Sequence, residues 1–377
     1  MSDVIPLAVP DLRGAEARYL EECVTDNWVS SAGPFVGAFE TRMAALAGRR
    51  EGVACVNGTA ALQIALMGLG IGPGDRVIVP DWTFAASVNA VIHAGAEPVF
   101  ADVSREDWCL DPASVDEAAA RYGEGLRAAV LVDPLGKTAS PETATYLRER
   151  HGLLVLEDAA GAIGASRGGA SAGSLGAAAC FSFNGNKTVT AGGGGMVVTD
   201  DEALAKRLRH LTTQARIGAD YRHDAVGFNY RMTNVNAAIG VAQLERLEEM
   251  VAAKRAIAEA YRASIAERAD IAFMPFDGDG DGAVDSGWLS AVRVADEPTM
   301  RDLVSHLNAA GIAARPFWCA LSSQAPYSGY PSVATPVAHA LTDVVVTLPS
   351  SSHLDRESLA RVTAALEAWR GPEVPPL

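Results

Sequence analysis

The sequence predicts an α/β protein in which helices cover both faces of a mostly parallel β-sheet. Between about residues 50 and 200, short apolar runs rich in Val, Leu and Ala alternate with segments of helical periodicity. The runs are apolar at successive positions, which is typical of strands buried on both faces, and turn residues separate them from the helical segments. Strands that alternate with helices in this way form parallel sheets.

The individual elements follow from these patterns. Leu62, Leu66 and Leu69 recur at the spacing of one helix face, directly after a turn. The predicted strands are residues 53–56, 76–80, 98–102, 127–132, 153–156, 179–183 and 195–199. Further predicted helices cover residues 84–94, 141–150, 201–211 and 236–266. The predicted organisation is an N-terminal arm over residues 1–35, a large domain over residues 36–248 and a smaller C-terminal domain over residues 249–377.

Composition narrows the possible partners. The 377 residues contain 46 Asp and Glu against 31 Lys and Arg, so the net charge of −15 offers no overall basic surface to nucleic acid or an anionic membrane. No apolar run reaches the ~18 residues of a membrane span, and we recognise no signal peptide at the N-terminus. The five cysteines are scattered, and the seven histidines lack metal-ligand spacing. We expect a cytoplasmic protein that holds no metal.

Three motifs match functional patterns in the wrong context. Residues 169–173 fit G-x-S-x-G without a strand before them and a helix after them, so we interpret them as a loop and not as a hydrolase nucleophile. Residues 277–282 open like an EF-hand loop, but Trp288 stands where calcium requires a glutamate. Residues 70–74 fit G-x-G-x-G after a helix, unlike a dinucleotide fingerprint.

Three other segments carry chemistry. Gly58 and Thr59 join a strand to a helix N-terminus, where backbone N–H groups and the helix dipole attract anions. Asp158 ends an apolar strand, where a carboxylate needs a partner such as a cationic ring nitrogen. Lys187, one of only four lysines, lies between an apolar strand and the glycine run 192–195, and a partly desolvated amine can form a Schiff base. Each segment has an alternative interpretation. Gly58 and Thr59 would then serve only to cap a helix, Asp158 would cap the next helix, and Lys187 would be a solvated surface lysine.

These segments favour a common site. Ligands of open parallel sheets bind outside the carboxyl ends of the strands, where all three segments are predicted to lie. A phosphate cradle, a carboxylate for a ring nitrogen and an imine-forming lysine are what a protein supplies to pyridoxal 5′-phosphate (PLP). The sequence therefore predicts a PLP site at this edge of the sheet.

The same segments resemble the DegT/DnrJ/EryC1/StrS family of sugar aminotransferases, which have the aspartate-aminotransferase fold (PLP-dependent fold type I). The resemblance extends from about Trp28 to Pro349. The motifs that carry it are Asn57-Gly-Thr-Ala-Ala-Leu62, Pro80-Asp-Trp-Thr-Phe84, Glu157-Asp-Ala-Ala160, Phe181-Ser-Phe-Asn-Gly-Asn-Lys187, Gly192-Gly-Gly-Gly-Met196, Gly227-Phe-Asn-Tyr-Arg-Met232 and Leu348-Pro-Ser-Ser351. It implies a mostly parallel seven-stranded sheet in the large domain and a smaller C-terminal α/β domain.

The resemblance implies a role for each matching residue. Lys187 would form the imine with PLP and move the proton between substrate and cofactor, and Asp158 would keep the pyridine nitrogen protonated. Phe84 would stack on the ring, and Asn229 would reach the phosphate from the other subunit of a homodimer. The remaining phosphate-binding residues would be Gly58, Thr59 and Ser182. The candidate substrate-binding residues are Trp28, Ser30, Asn186, Arg231, Arg315 and Trp318. The alternatives are ordinary ion pairs for Arg231 and Arg315 and core packing for Trp318.

The reaction implied by the resemblance moves an amino group, usually from glutamate, onto a keto-sugar carried by a nucleoside diphosphate. It is a ping-pong reaction through pyridoxamine phosphate. Residues 184–187, 211–215 and 315–318 look most similar to the branch that acts at C4 of UDP-linked 4-keto-6-deoxy-N-acetyl sugars. The alternatives are 3-amination or dehydration on the same fold, and a PLP-binding regulator without turnover. Lys187 argues against dehydration, which in the resemblance goes with a histidine at that position.

Two positions depart from the family pattern, and the glycine run 192–195 also lacks the Glu that the family often has there. Gly161 stands where the family often has Gln, His or Glu, and Asp133 stands where it often has His. A glycine at 161 removes a side-chain contact to the cofactor or the substrate. These departures leave Lys187 and Asp158 in place and bear on which sugar is bound.

Overall fold

The computed structural model describes residues 4–275 and 282–377. The strands, in chain order, are β1 (Glu51–Cys55), β2 (Arg76–Pro80), β3 (Glu97–Ala101), β4 (Leu126–Val132), β5 (Leu154–Asp158), β6 (Ser166–Arg167), β7 (Ala170–Ser171), β8 (Ala178–Ser182), β9 (Gly195–Thr199), β10 (Arg216–Ile217), β11 (Arg222–His223), β12 (Ala272–Phe273), β13 (Ser290–Arg293), β14 (Arg315–Pro316) and β15 (Val345–Leu348). All seven strands predicted from the apolar runs are present; 76–80 and 195–199 match at both ends, and the ends of the others differ by at most two residues.

The helices connect and cover these strands. In chain order they are α1 (Glu16–Thr25), α2 (Pro34–Leu46), α3 (Gly58–Gly68), α4 (Ala85–His93), α5 (Pro112–Tyr122), α6 (Pro141–His151), α7 (Glu202–Thr212), α8 (Asn234–Leu244), α9 (Leu247–Ser264), α10 (Glu297–Ala309), α11 (Pro336–Thr342) and α12 (Arg356–Ala368), with a short 3₁₀ turn at Leu321–Ser323. In the described part of the chain, no helix is long and apolar enough to span a membrane.

The large sheet has seven strands in the order β1-β9-β8-β5-β4-β2-β3. Its strand pairs are parallel except for those of β9, which runs against both of its neighbours. Helices α3, α4 and α7 pack on one face, and α2, α5, α6 and α8 pack on the other. The predicted mostly parallel sheet with two covered faces is confirmed. Because β5 and β8 are parallel neighbours, Asp158 and Ser182 lie at the same edge.

A second sheet of four antiparallel strands lies in the C-terminal part, in the order β12-β13-β15-β14. Its core is formed with α9, α10 and α12. The predicted boundary between residues 248 and 249 falls at the start of α9, and the three-part division of the chain stays a prediction. Of the aspartate-rich segment 277–282, all but Gly282 lies outside the described residues.

One prediction from periodicity needs correction. The single helix predicted over residues 236–266 is interrupted between α8 and α9, where the Arg246 guanidinium bonds to Asp11 of the N-terminal arm and to Glu249. This contact turns the chain and ties the arm to the large sheet's outer layer. Residues 169–173 contribute to a hairpin of β6 and β7, so the G-x-S-x-G match has no strand-to-helix elbow.

The segment after β2 anchors the C-terminal part to the large sheet. Asp81 is fully buried and accepts hydrogen bonds from the backbone N–H and the hydroxyl of Ser322 and from the hydroxyl of Thr335, each at 2.7 Å. The neighbouring Trp82 donates from its indole N–H to the carbonyl of Trp318 at 3.0 Å. Together these bonds fix the 318–335 segment over the end of β2.

We expect Asp81→Ala to lower the free energy of unfolding by about 2–4 kcal/mol, because three donors lose their acceptor inside the protein. Chemical denaturation followed by circular dichroism measures the change. Asp343→Ala, which changes an exposed aspartate, is the control and should change the free energy of unfolding by less than about 0.5 kcal/mol. Equal effects of the two substitutions would contradict the anchoring role.

Candidate active site

A cavity of about 360 Å³ opens at the carboxyl edge of the large sheet, where β5, β8 and the start of α3 meet residues of the C-terminal part. It brings together most of the residues that the sequence singled out. The predicted site residues that line it are Gly58, Thr59, Phe84, Asp158, Ser182, Asn186, Lys187, Arg315 and Trp318.

One end of the cavity is suited to an anion. The first backbone amides of α3 belong to Gly58 and Thr59, and the N–H groups of a first helical turn have no partner within the helix. Asn57 caps the helix by accepting from the Ala60 N–H at 2.8 Å. A Cβ on Gly58 would lie 2.9 Å from the Cβ of Ser182, so glycine is required for this close approach. The Ser182 hydroxyl therefore stands beside the amides, as a phosphate site needs.

Asp158 also lines the cavity, at the end of β5. Its Oδ2 accepts from the hydroxyl of Ser87 at 2.7 Å, and its Oδ1 accepts from the Ala160 N–H at 3.2 Å. Burial raises the pKa of Asp158, although these bonds and the charge of Lys187 act the other way. A cation in contact with this carboxylate would favour its ionised form. The geometry thus suits a protonated ring nitrogen.

Lys187 lines the same cavity. The residue as a whole is only partly buried, but its amine lies deep enough that loss of hydration lowers the pKa of Lys187 to about 7, with the Asp158 charge opposing part of that change. The Nζ atom lies 3.4 Å from the centre of the Trp288 ring. An amine with this pKa is largely neutral just above pH 7, which is the nucleophilic form.

A second carboxyl group, that of Asp133, also lines the cavity. It is buried next to Glu157, whose two oxygens accept from the N–H groups of Gly173 and Leu175. Burial, together with the Glu157 charge, raises the pKa of Asp133 well above its ordinary value. Asp133 occupies the position where the family more often has a histidine, and its Oδ1 accepts from the Ala139 N–H at 2.8 Å.

Aromatic side chains form the wall of the cavity contributed by the C-terminal part. Trp318 stacks on Phe317 with ring centres 4.3 Å apart, and both pack edge-on against Trp82. Arg315 is exposed at the same wall, and within the described residues no carboxylate lies within 4 Å of its guanidinium. A flat apolar face beside an unpaired guanidinium suits a sugar ring with an attached phosphate.

Four predicted site residues lie outside the lining of this chain's cavity. Trp28 and Ser30 are exposed on the arm, where their carbonyls accept from Asn234. Asn229 is exposed and forms an isolated bridge with Thr213. Arg231 bridges Cys55 at the end of β1, away from the cavity lining. The roles of these four residues stay predictions.

Two residues of the site, Ser87 and Trp288, carry no functional signal in the sequence, and the role of a third, Gly161, differs from the prediction. Ser87 bonds to Asp158 from α4, and its distance in sequence from that strand gave no signal. Trp288 was noted only as a mismatch to a calcium loop. Gly161 was noted as a missing side chain, whereas a Cβ there would lie 2.5 Å from Trp288 Cε3. Trp288 is distant in sequence from Lys187, so only the three-dimensional contacts identify it as the aromatic partner of that lysine.

The groups that line the cavity match the groups of PLP. Asn186 Oδ1 is buried at the cavity and, within the described residues, has no hydrogen-bond partner, so it awaits a donor from a bound molecule. The amides of Gly58 and Thr59 await an anion, and the Asp158 carboxylate awaits a cation. PLP carries a phosphate, a basic ring nitrogen and an aldehyde that a lysine can attack, and so matches each of these groups.

Comparisons with known proteins agree with this chemistry. A sequence profile of the DegT/DnrJ/EryC1/StrS aminotransferase family matches residues 10–367. The chain is 39% identical over 375 residues to the GDP-perosamine synthase of Caulobacter vibrioides, covering 97% of this chain and 99% of that enzyme. It is 34% identical to the putative pyridoxal phosphate-dependent aminotransferase EpsN of Bacillus subtilis, covering 97% and 96%. The solved structure of DesV from S. venezuelae superposes with a TM-score of 0.87 at 32% identity, covering 97% and 99%.

Proposed function

The chain belongs to the DegT/DnrJ/EryC1/StrS aminotransferase family and is a sugar aminotransferase with PLP as its cofactor, and we propose that it transfers an amino group from glutamate to C4 of a 4-keto-6-deoxyhexose linked to GDP. Bound PLP supplies an aldehyde that takes up the amino group and a ring that delocalises the electrons of the broken C–H bond. The observation that carries the proposal is the convergence of Lys187, Asp158 and the α3 amides on one cavity.

Each residue of the cavity has its own role in the proposed reaction, which depends on its position. Lys187, whose pKa burial lowers to about 7, takes a proton from the substrate carbon and returns it. Asp158, oriented by Ser87, holds the proton on the ring nitrogen of the cofactor. The start of α3 and Ser182 bind the phosphate and thereby fix the position of the ring. Phe317 and Trp318 exclude water from the reacting carbon and present an apolar face to the sugar.

Two observations bear on the acceptor. The relative from Caulobacter vibrioides, which matches this chain over nearly its full length, is named for a GDP-linked sugar and supports guanosine. The similarity of residues 184–187, 211–215 and 315–318 to the branch acting at C4 supports that carbon, and favours a UDP-linked 4-keto-6-deoxy-N-acetylhexosamine as the second candidate.

A panel of nucleotide-linked keto-sugars tests the acceptor. Purified protein is incubated with glutamate and either the GDP-linked 4-keto-6-deoxyhexose or the UDP-linked N-acetyl sugar, and product is scored by mass. We expect kcat/KM to favour the GDP-linked sugar by about tenfold or more. A preference for the UDP-linked sugar would select the second candidate, and amination of neither would overturn the proposal.

Arg315→Ala should raise the KM for the nucleotide sugar by about 10- to 100-fold, because a charge-assisted bond to phosphate is lost. The half-reaction with glutamate should change by less than about twofold, since glutamate lacks the diphosphate. Measuring the two half-reactions separately by cofactor absorbance gives both values. Arg301→Ala, at an exposed arginine of α10, is the control, and equal losses in the two half-reactions would contradict the assigned role.

We further propose that the protein acts as a homodimer with shared sites. Large apolar side chains are exposed near the cavity mouth, including Phe84 (60% exposed), Val56 (41%) and Trp28 (47%). The loop that precedes Asn229 adds Tyr221 and Val226, which are still more exposed. Large apolar side chains exposed in this way are typical of an interface. A second copy covering it would bring its own Asn229 toward this chain's phosphate site.

Mixing two inactive variants tests the sharing. Lys187→Ala lacks the amine, and Asn229→Asp places a carboxylate where the phosphate of the partner's site would bind. If sites are shared, each mixed dimer contains one intact site, and random mixing should restore about a quarter of wild-type activity. Activity after co-refolding, at limiting PLP, measures it. Recovery of no more than the summed activities of the two variants would mean that each chain builds its site alone.

A further inference from the structure

Trp288 contacts the amine of Lys187 in the cavity. Its indole is buried, and Lys187 Nζ lies over the face of the ring, 3.4 Å from its centre. The negative face of an aromatic ring attracts a cation at this distance. The ring therefore favours the protonated amine, whereas burial favours the neutral one.

Two hydrogen bonds fix the position of this ring. The indole N–H donates to the carbonyl of Asn186 at 2.8 Å, so the ring is bonded to the residue that precedes Lys187. The carbonyl of Trp288 accepts from the buried Lys254 Nζ at 3.2 Å, and that amine also donates to Ser350. Gly136 allows the backbone of Trp288 to approach closely, since a Cβ at position 136 would lie 2.5 Å from the backbone nitrogen of Trp288.

Gly161 leaves the room that the indole occupies. A Cβ at this position would lie 2.5 Å from Cε3 and 2.9 Å from Cζ3 of Trp288, closer than Cβ atoms pack in proteins. A rigid indole cannot yield to such a contact by rotating one terminal bond. Gly161 and Trp288 are therefore sterically matched. The indole leaves no room for a side chain at position 161, and a side chain there would displace the indole.

We propose that Trp288 is a positioning residue for Lys187 and that Gly161 is glycine because the indole takes the space of a side chain there. The inference rests on the proposed role of Lys187. The indole holds Nζ at a fixed place in the cavity. It also stabilises the ammonium that Lys187 becomes each time it takes up a proton.

Fluorinated tryptophans at position 288 test the electrostatic half, because fluorine weakens the negative face of the ring with little change in its size. The readout is the pH dependence of the rate at which PLP attaches covalently to the apo-protein, followed by absorbance. With increasing fluorination the midpoint should move to lower pH, by up to about half a unit. The other charged or titratable groups lining the cavity, Asp133, Asp158 and Arg315, are unchanged by fluorination.

The same replacement at Trp369, a buried tryptophan of the C-terminal core, is the control and should leave the midpoint in place. A midpoint that does not follow fluorination at position 288, or that moves equally with Trp369, would overturn the inference. Covalent attachment that survives in Lys187→Ala would instead overturn the proposed function, so the two failures are distinguishable.

A double-mutant cycle tests the steric half. Gly161→Ala should displace the indole and slow attachment by about tenfold. In the Trp288→Phe background, which removes the outer part of the ring that the new methyl group meets, Gly161→Ala should cost less than about twofold. Equal effects of Gly161→Ala in both backgrounds would show that the two residues are not matched.

Discussion

Replacing Lys187 with alanine is expected to abolish covalent attachment of PLP and to lower amino transfer by about 10⁴-fold or more. Lys187 is the lysine whose amine reaches the cavity lining. The amine of Lys254 is bonded to two backbone carbonyls, and Lys206 is exposed on α7. Borohydride reduction of the PLP-loaded protein, followed by peptide mass spectrometry, measures the attachment and locates it.

Two lysine variants serve as comparisons for this experiment. Lys206→Ala changes an exposed side chain and should leave both attachment and turnover at the wild-type level. Lys137→Ala removes another buried lysine and tests whether burial alone is enough. A label that persisted in Lys187→Ala and disappeared in Lys137→Ala would transfer the role to Lys137.

The pH dependence of attachment has a defined sign. Burial lowers the pKa of Lys187 to about 7, and the neutral amine is the form that attacks an aldehyde. The attachment rate of the apo-protein should therefore rise about tenfold per pH unit below pH 7 and level off above it. A rate that continued to rise toward the ordinary lysine value of 10.5 would mean that the amine is hydrated.

Asp158→Asn is expected to leave covalent attachment intact and to lower amino transfer by about 10²- to 10⁴-fold. The amide keeps the shape of the side chain but has no charge with which to hold a proton on the ring nitrogen. Ser87→Ala removes only the hydroxyl that orients the carboxylate, so its expected loss is smaller, about tenfold. Single-turnover kinetics with glutamate measures both.

The control for this series is Asp116→Asn, which changes a carboxylate on α5 that bonds only to Tyr146 and His151 among the described residues. It should leave the half-reaction unchanged. Asp158→Asn with wild-type turnover, or a Ser87→Ala loss larger than that of Asp158→Asn, would show that the carboxylate does not act on the cofactor.

The large sheet was predictable because each of its strands has a recognisable local sequence pattern. The strands β2, β4 and β5 are continuous apolar runs bounded by turn residues, and burial on both faces requires such runs. Helix α5 was not predicted, since Val115 is its only large aliphatic residue and its apolar face is mostly alanine. At the break between α8 and α9, Arg246 bonds to Asp11, a residue distant in sequence, and periodicity contains no information on such a contact.

The site was predictable where strand ends determine it. Asp158, Ser182 and Lys187 follow apolar strands, so the topology alone brings them to one edge. Trp288 reaches the same point from the far part of the chain, through packing against Gly161 and a bond to Lys254. No local pattern marks a residue of that kind. Its partner glycine was visible in the sequence, but only as the loss of a side chain.

The anchor formed by Asp81 and Trp82 limits how this enzyme can be redesigned or recombined. Phe84 lines the cavity only two residues after Trp82, and the bonds of Asp81 and Trp82 hold the segment that carries Trp318. A chimaera that imported residues 317–335 from a relative would leave Asp81 facing a foreign loop. Residues 81–84 and 317–335 therefore form one exchangeable cassette, and libraries that aim at a new sugar should transplant them as a pair.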